Sequence, residues 1–298
     1  QSGLQRFDFF GMDTCLMGGV ELLYEYGDLT QLYIGNPEID YGDGWDYSAV
    51  FNSLRGNPNI SNREFARLEA GFFDAHHQES SSDIGYRAHA GYDTSQLENL
   101  RGAINAFVQA ATQSSDRDAL LSARSKVTEY LFSASKPNAP RPYVDIGHYA
   151  QLVAQLTKDS RLAAAGNALS AAVAQTVIAK SLGNNLKAAY GMGIWLPNNP
   201  AVKPSAGELG AYATRLRMAS LLNWKAFIDL WFGNIAPSVQ NNNQGVQVRV
   251  TRKVNLREPS VRDPAVIGFE VTGNVNLVYG ELGEAVNMNI RGMGSGST

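Results

Sequence analysis

Cysteine is almost absent from this chain: Cys15 is the only one among 298 residues. A single thiol cannot form an internal disulfide, so the cysteine content does not indicate the redox compartment. Lone cysteines are more often small buried apolar residues than nucleophiles. The residues around Cys15 must therefore decide between these two interpretations.

Basic runs and long apolar runs are absent as well. The formal net charge is -3, without a lysine- or arginine-rich segment, and this excludes the positive surface of a nucleic-acid-binding protein. The alanine-rich stretch from Leu162 to Ala179 is interrupted by Asn167 and Gln175 and falls short of a membrane span. The composition, with 44% hydrophobic and 18% charged residues, is typical of a globular protein with a substantial core.

The order of predicted elements indicates an α/β fold. A short aromatic run from Arg6 to Gly11 predicts a strand, and apolar residues at helical spacing after Cys15 predict a helix that ends before Gly27. A second strand at residues 32–35 and a helix at residues 47–54 follow. This β-α-β-α order is typical of a parallel sheet flanked by helices, and it places Cys15 at the turn from a strand into a helix.

Helical additions dominate the rest of the N-terminal domain, which we place at residues 1–232. The predicted elements are helices at residues 61–76 (with a capping box at Ser61 and Glu64), 97–107, 120–131, 145–157 and 161–182, a strand at 193–197 and an aromatic-rich helix at 212–232. Residues 233–245 have the composition of a linker. Residues 246–298 alternate apolar and polar residues, which predicts a small antiparallel β module with a flexible end.

The predicted position of Cys15 favours reactivity. The first turn of a helix offers unpaired backbone N–H groups and the positive end of the helix dipole, which stabilise a thiolate and lower its pKa. The adjacent Gly18 and Gly19 allow close backbone approach, and amides near Gly18 are candidate donors to an oxyanion. Many buried cysteines also lie near strand ends, so this position alone does not decide the question.

A longer pattern surrounds the cysteine. It begins with Asp13-Thr14-Cys15-Leu16-Met17 and Glu21 and continues, about one βαβ unit later, with Gly42-Asp43-Gly44-Trp45-Asp46-Tyr47. Further segments of the pattern are Tyr143 to Ile146, Gly191 to Pro197 and Tyr212 to Trp231. Over residues 4–232 the chain resembles the clostripain family of cysteine peptidases, members of the caspase-like clan. The resemblance implies a caspase-like, mostly parallel sheet and a bacterial protein that is secreted or lies at the cell surface or in the periplasm.

The resemblance also implies a nucleophile and a substrate pocket. Cys15 corresponds to the nucleophile, and Asp13 and Asp43 correspond to acids that line a pocket for an arginine or lysine side chain. Two carboxylates beside a cleft favour a guanidinium group, so the implied cleavage is after arginine, with lysine tolerated. Trp45 is a candidate wall of this pocket. Structural interpretations stay open: Asp13 as a helix cap, Asp43 as a turn residue and Trp45 as a core anchor.

The general base is missing from the pattern. In the family, a catalytic histidine lies on the strand before the cysteine strand, but the fourteen residues that precede Cys15 contain no histidine. Residues 1–5 also lack an initiator methionine and a signal sequence, so we expect the chain to begin inside a longer gene product whose upstream part supplies the histidine as a second chain. The downstream histidines are interpreted as structural: His76, His77, His89 and His148.

No cofactor or metal site is predicted. The resemblance leaves calcium open as a ligand, since the loop from Asp40 to Asp46 holds three acids, but turn chemistry explains that loop equally well. Two alternatives to a peptidase also stay open. One is a catalytically inactive pseudo-peptidase that acts as a binding or scaffold module, and the other is a non-proteolytic α/β domain with a buried thiol.

Overall fold

The computed structural model describes residues 6–40, 44–77, 84–133, 136, 138–139, 141–198, 209–210, 212, 214–234, 247–250 and 269–272. Its contacts divide the chain into two compact units, Gln1–Asn234 and Ile235–Thr298. The predicted linker at 233–245 and the boundaries on either side of it stay predictions, because residues 235–246 lie outside the described ranges.

The first unit contains both helices and strands along its whole length. Among the described residues its strands are β1 (Phe7–Met12), β2 (Thr30–Gly35), β3 (Ala88–Asp93), β4 (Glu129–Tyr130), β5 (Tyr143–Asp145), β6 (Val177–Leu182) and β7 (Gly193–Trp195). Its helices there are α1 (Val20–Tyr26), α2 (Tyr47–Gly56), α3 (Asn62–His76), α4 (Leu97–Gln113), α5 (Arg117–Arg124), α6 (Ile146–Leu156), α7 (Ser160–Thr176), α8 (Met218–Leu221) and α9 (Trp224–Asn234). In the second unit, β8 (Gln247–Val250) and β9 (Phe269–Thr272) form an antiparallel pair.

A four-stranded sheet in the order β1-β2-β3-β6 lies at the centre of the first unit. β1 and β2 are parallel, with Phe7 opposite Thr30 and Met12 opposite Gly35, whereas β3 is antiparallel to both β2 and β6. The predicted α/β class is confirmed, but the prediction of a mostly parallel sheet is wrong, because the sheet is mixed. One helix, α1, connects β1 to β2 and returns the chain to the edge of the sheet where β1 begins, so the two strands are parallel. Two helices, α2 and α3, connect β2 to β3, so β3 begins at the edge where β2 ends and is antiparallel to it.

The predictions that rest on local patterns agree well with the structure. The strands predicted at Arg6–Gly11 and at 32–35 correspond to β1 and β2, and the helix predicted at 47–54 corresponds to α2. The capping box is confirmed, since Ser61 Oγ accepts a hydrogen bond from Glu64 N at 3.3 Å. Short-range periodicity and capping chemistry therefore sufficed for these elements.

Other predicted helices are too long. The helix predicted at 161–182 ends at Thr176, because the backbone of the next residues pairs with β3 and forms β6. The helix predicted at 120–131 ends at Arg124, before β4. The helix predicted at 212–232 is interrupted between α8 and α9, where the Asn105 side chain hydrogen-bonds to the backbone on both sides of the break. In each case hydrogen bonds from a distant segment replace those of the continued helix.

A second, antiparallel sheet in the order β4-β5-β7 contacts the first part of the chain at Gly18. Gly193 N donates to Gly18 O at 2.9 Å. Tyr92 Oη, from β3, lies 3.0 Å from Gly18 O and 2.7 Å from Gly191 O. A Cβ atom at Gly18 would lie 2.5 Å from Pro37 N, so this crowded crossing requires glycine.

Two buried glutamates connect segments next to the first sheet, namely α1 and the loop after β2, to the second sheet. Glu21 Oε1 in α1 accepts a hydrogen bond from Trp195 N in β7 at 2.9 Å. Glu38 Oε1, in the loop after β2, accepts from Leu131 N at 2.7 Å and from Phe132 N at 3.0 Å, just after β4. Burial raises the pKa of Glu21, and it raises the pKa of Glu38 to about 7 although the backbone N–H groups oppose this effect.

Replacement of Glu38 by glutamine is expected to remove a pH-dependent loss of stability. An unfolded glutamate titrates near 4.5, whereas Glu38 in the folded chain titrates near 7. Its contribution to the free energy of unfolding is therefore complete below pH 4.5 and falls by about 3 kcal/mol as the pH rises through 7, at about 1.4 kcal/mol for each pH unit. Glutamine keeps an acceptor for the backbone N–H groups but does not ionise, so Glu38→Gln should lose correspondingly less stability.

Urea unfolding at pH 5 and at pH 8 measures this difference. Glu98→Gln is the matched control, since Glu98 is exposed on α4 and pairs with Arg101 at the surface. An equal pH dependence of the unfolding free energy in the wild type and in Glu38→Gln would contradict the role of this buried carboxyl.

Candidate active site

The loop that carries the cysteine, residues 13–19, is called the Cys15 loop. It follows β1 and lies against the segment that follows β2, because Leu16 N donates to Glu38 O at 3.0 Å and Gly18 N donates to Asn36 O at 2.9 Å. Leu16 has a φ of 60°, a left-handed conformation that leucine rarely adopts, and its side chain packs against an apolar cluster. Strained residues of this kind persist where the surrounding structure over-determines them, and they are frequent at functional sites.

Cys15 is partly exposed, and its sulfur contacts the backbone of Asp40. Asp40 N donates to Sγ at 3.3 Å, and Asp40 O lies 3.9 Å from Sγ. The predicted position at the first turn of a helix is wrong, because α1 begins at Val20 with Gly19 as its N-cap. Cys15 therefore lies outside the first turn of α1. The amide of Gly18 already donates to a backbone carbonyl, so it is not an oxyanion donor either.

Asp13 lies in a network with the loop that precedes α2. Its Oδ2 accepts hydrogen bonds from Tyr47 Oη at 2.7 Å and from Trp45 N at 3.2 Å, and its carboxyl shares a hydrogen bond with that of Asp40. Burial acts to raise the pKa of Asp13, but these hydrogen bonds and the charge of His89 outweigh burial and lower the pKa. Asp13 Oδ1 is buried without a hydrogen-bond partner among the described residues. The alternative that Asp13 caps a helix is wrong, since its contacts lie elsewhere.

The loop that approaches Asp13 contains Gly44 and Trp45. Gly44 has a φ of 62°, and a Cβ atom there would lie 2.6 Å from Asp13 Oδ2, so the position requires glycine. The Trp45 ring packs against the core beneath the sheet, as the structural interpretation expects, and its role as a pocket wall stays a prediction. Asp43 lies outside the described residues, so its assignment to the pocket also stays a prediction.

The histidines downstream of the cysteine make other contacts. His77 Nε2 lies 2.9 Å from Gly44 O, and His148 Nδ1 accepts from Thr128 N at 3.1 Å. Burial lowers the pKa of His148. His89 is enclosed in the core. Within the described ranges, no histidine forms a hydrogen bond with the Cys15 sulfur.

Three polar residues near the Cys15 loop are missing from the sequence-based site: Asn36, Glu69 and His89. They form a hydrogen-bonded chain in the core. Glu69 lies on the buried face of α3 between Phe65 and Phe73, and an acid on such a face signals a buried polar partner. Asn36 and His89 carry no comparable signal, because their partners are distant in the sequence.

No group of three or more His, Cys, Asp or Glu side chains within the described ranges is arranged to hold a metal ion. The loop from Asp40 to Asp46, which the resemblance left open for calcium, includes residues 41–43 outside those ranges. In the part of the chain that the structure describes, no helix has the length and apolar character needed to cross a membrane.

Known protein structures share this fold at low sequence identity. An inactive zymogen C11 protease from Parabacteroides distasonis is 15% identical, with a TM-score of 0.53 over 73% of this chain and 59% of the other. A cysteine protease from B. fragilis is 17% identical, with a TM-score of 0.52 over 74% of this chain and 89% of the other. A secreted C11 cysteine protease from Bacteroides thetaiotaomicron, in complex with an irreversible peptide inhibitor, is 19% identical, with a TM-score of 0.52 over 74% of this chain and 60% of the other. This chain therefore spans about three fifths of the length of two of these proteins.

No curated protein sequence matches the chain. The sequence model of the clostripain family, peptidase family C11, matches residues 2–231. The structural likeness alone shows a shared fold, whereas the family match covers most of the chain. The chain therefore belongs to the clostripain family of cysteine peptidases.

Proposed function

We propose that this chain is the nucleophile-bearing part of a cysteine endopeptidase that hydrolyses peptide bonds after arginine, with lysine tolerated. The observation that best supports the proposal is the partly exposed Cys15 thiol on a strained turn, beside the paired carboxyls of Asp13 and Asp40. A nucleophile and a site for a positive charge are thus neighbours.

The carboxyls account for the preference for a basic side chain. Asp13 Oδ1 is buried without a partner among the described residues, and a buried carboxylate oxygen without a hydrogen bond is unfavourable. A guanidinium or ammonium group that enters beside Asp13 supplies that hydrogen bond together with a charge. In this proposal Asp43 adds a second carboxylate, and Trp45 forms a wall of the pocket.

In the proposed mechanism, the Cys15 thiolate attacks the carbonyl carbon of the basic residue and forms a tetrahedral oxyanion. Collapse of this intermediate breaks the C–N bond, the leaving amine takes a proton from the catalytic histidine, and a thioester remains. Water, activated by the same histidine, hydrolyses the thioester and regenerates the thiol. Asp40 N, 3.3 Å from Sγ, stabilises the thiolate and fixes its position.

The exposed edge of β1 is the surface on which we place the upstream segment that carries the histidine. In the described sheet β1 lies at one end and pairs with β2. Phe7 is 46% exposed and Phe9 39% exposed, which is unusual for aromatic side chains on a strand. An additional strand on this edge would satisfy the backbone of β1, cover both rings and lie next to the strand that leads to Cys15.

The pseudo-peptidase is the second candidate function, and it is favoured by the absence of a hydrogen bond between the thiol and any histidine in the described ranges. In that case the pocket would bind a basic residue without cleavage. We also propose a secreted or cell-surface location in a bacterium, since one protein of the same fold is a secreted C11 protease.

An arginyl chloromethyl ketone should label Cys15 stoichiometrically in the protein assembled with its upstream segment. Mass spectrometry of the tryptic peptide identifies the adduct. Cys15→Ala should abolish both labelling and hydrolysis of arginyl peptides, whereas Thr14→Ala, at the exposed neighbouring position, should retain both. Labelling without hydrolysis would favour the pseudo-peptidase. Resistance of the folded protein to the ketone and to iodoacetamide would favour the buried thiol.

Asp13→Asn should lower kcat/KM for arginyl substrates roughly 100-fold, because truncation of one partner in a desolvated charge pair costs a few kcal/mol. The same substrates with citrulline, a neutral isostere of arginine, should be affected much less. Asp46→Asn is the matched control: Asp46 caps α2 by accepting from Ala49 N, and asparagine caps equally well. An equal loss for both substrates in Asp13→Asn would show that Asp13 does not recognise the basic side chain.

Phe7→Lys should weaken retention of the upstream segment, because a lysine on an edge strand opposes addition of another strand. Co-purification of the separately tagged upstream segment measures the effect, and arginyl hydrolysis should fall in parallel. Leu29→Lys is the control, since Leu29 is exposed but lies outside the strands. Unchanged retention in Phe7→Lys would place the upstream segment elsewhere.

A further inference from the structure

Three polar side chains form a hydrogen-bonded chain in the core behind the Cys15 loop. His89 Nε2 contacts Glu69 Oε2, and His89 Nδ1 contacts Asn36 Oδ1. Glu69 is 1% exposed, and His89 and Asn36 are fully buried. Burial of ionisable groups is unfavourable unless they are paired, and apolar side chains of similar volume often serve stability as well. A contribution to stability is therefore a weak explanation for the burial of these three polar side chains.

The contacts of the ring define its charge. Both nitrogens of His89 face oxygen atoms, one from the Glu69 carboxylate and one from the Asn36 amide. The Asn36 amide is oriented with Oδ1 towards the ring, which leaves its Nδ2 buried without a hydrogen-bond partner among the described residues. In that orientation both ring nitrogens donate, and a ring with two N–H donors is an imidazolium. His89 is then a buried cation with Glu69 as its counter-ion.

This cation is connected to the candidate active site by two routes. The first is through Asn36, whose backbone oxygen accepts the hydrogen bond from Gly18 N in the Cys15 loop. The second is electrostatic. The Trp45 ring lies edge-on to the His89 ring at 5.3 Å, and Trp45 N donates to Asp13 Oδ2.

The electrostatic route acts on Asp13 directly. Burial acts to raise the pKa of Asp13; hydrogen bonds with the Asp40 and Tyr47 side chains and with Trp45 N, together with the charge of His89, lower it. The net result is a carboxyl that ionises more readily than an ordinary aspartate despite its burial. Among the groups that favour the ionised form, His89 makes the smallest contribution and is the one that carries a positive charge.

We propose that His89 is a positioning residue for the basic-residue pocket, which orients Asn36 against the Cys15 loop and holds the Trp45 ring so that Trp45 N donates to Asp13. The inference rests on the proposed function, because it assigns Asp13 to substrate recognition. His89 does not contact the substrate, and it acts through Asp13 and Asn36. Glu69 in turn holds the ring in its charged form.

His89→Gln tests the proposal in the protein assembled with its upstream segment. Glutamine is polar and neutral, so the variant removes the charge with a small change in shape. The ratio of kcat/KM for an arginyl peptide to kcat/KM for the matching citrullyl peptide should fall at least tenfold, mainly through KM for the arginyl peptide. His76→Gln is the matched control, since His76 is exposed at the end of α3, and its ratio should equal that of the wild type.

Two further measurements keep the outcome decisive if His89→Gln does not fold, as judged by its melting curve. Glu69→Gln removes the counter-ion and should lower the same ratio in the same direction. The ¹⁵N chemical shifts of the His89 ring in the wild type should show two protonated nitrogens. A ratio within twofold of the wild type in a folded His89→Gln or Glu69→Gln variant, or a ring with one proton, would overturn the inference. Absence of arginyl hydrolysis in the wild type would instead refute the proposed function.

Discussion

The contact between the Cys15 loop and the segment after β2 is the constraint on which the rest of the site depends. Because β1 and β2 are parallel neighbours, the loops that follow them leave the sheet at the same edge. Hydrogen bonds from Leu16 N and Gly18 N then fix one loop against the other. This register brings the Asp40 backbone to the Cys15 sulfur, although the two residues are 25 positions apart in the sequence.

Buried acids organise the loops around this contact. Glu21 and Glu38 accept hydrogen bonds from the backbone of segments more than 90 positions away, and Asp145 accepts from three successive backbone N–H groups at residues 190–192. Glu38 and Asp145 thereby hold loops that have no regular secondary structure of their own, whereas Glu21 holds the end of β7.

The buried acids near the Cys15 loop differ in how readily they ionise. Desolvation raises the pKa of Glu21 and Glu38, so their charged forms are unfavourable, whereas the pKa of Asp13 is lowered despite its burial. At Asp13, hydrogen bonds with the Asp40 and Tyr47 side chains and with Trp45 N lower the pKa, and His89 makes the smallest contribution. The difference between these acids lies in their neighbours, since all of them carry the same functional group.

The sequence by itself determined the family, the α/β class, β1, β2 and the capping box, because these depend on motifs and on neighbours within a few residues. It also identified Cys15 and Asp13 as candidate site residues. Only the tertiary structure decided that the sheet is mixed, that the thiol precedes α1 by several residues and contacts Asp40, and that His89 belongs to a buried chain with Glu69 and Asn36. These features depend on hydrogen bonds between segments that are far apart along the chain, and local periodicity carries no information about such pairs.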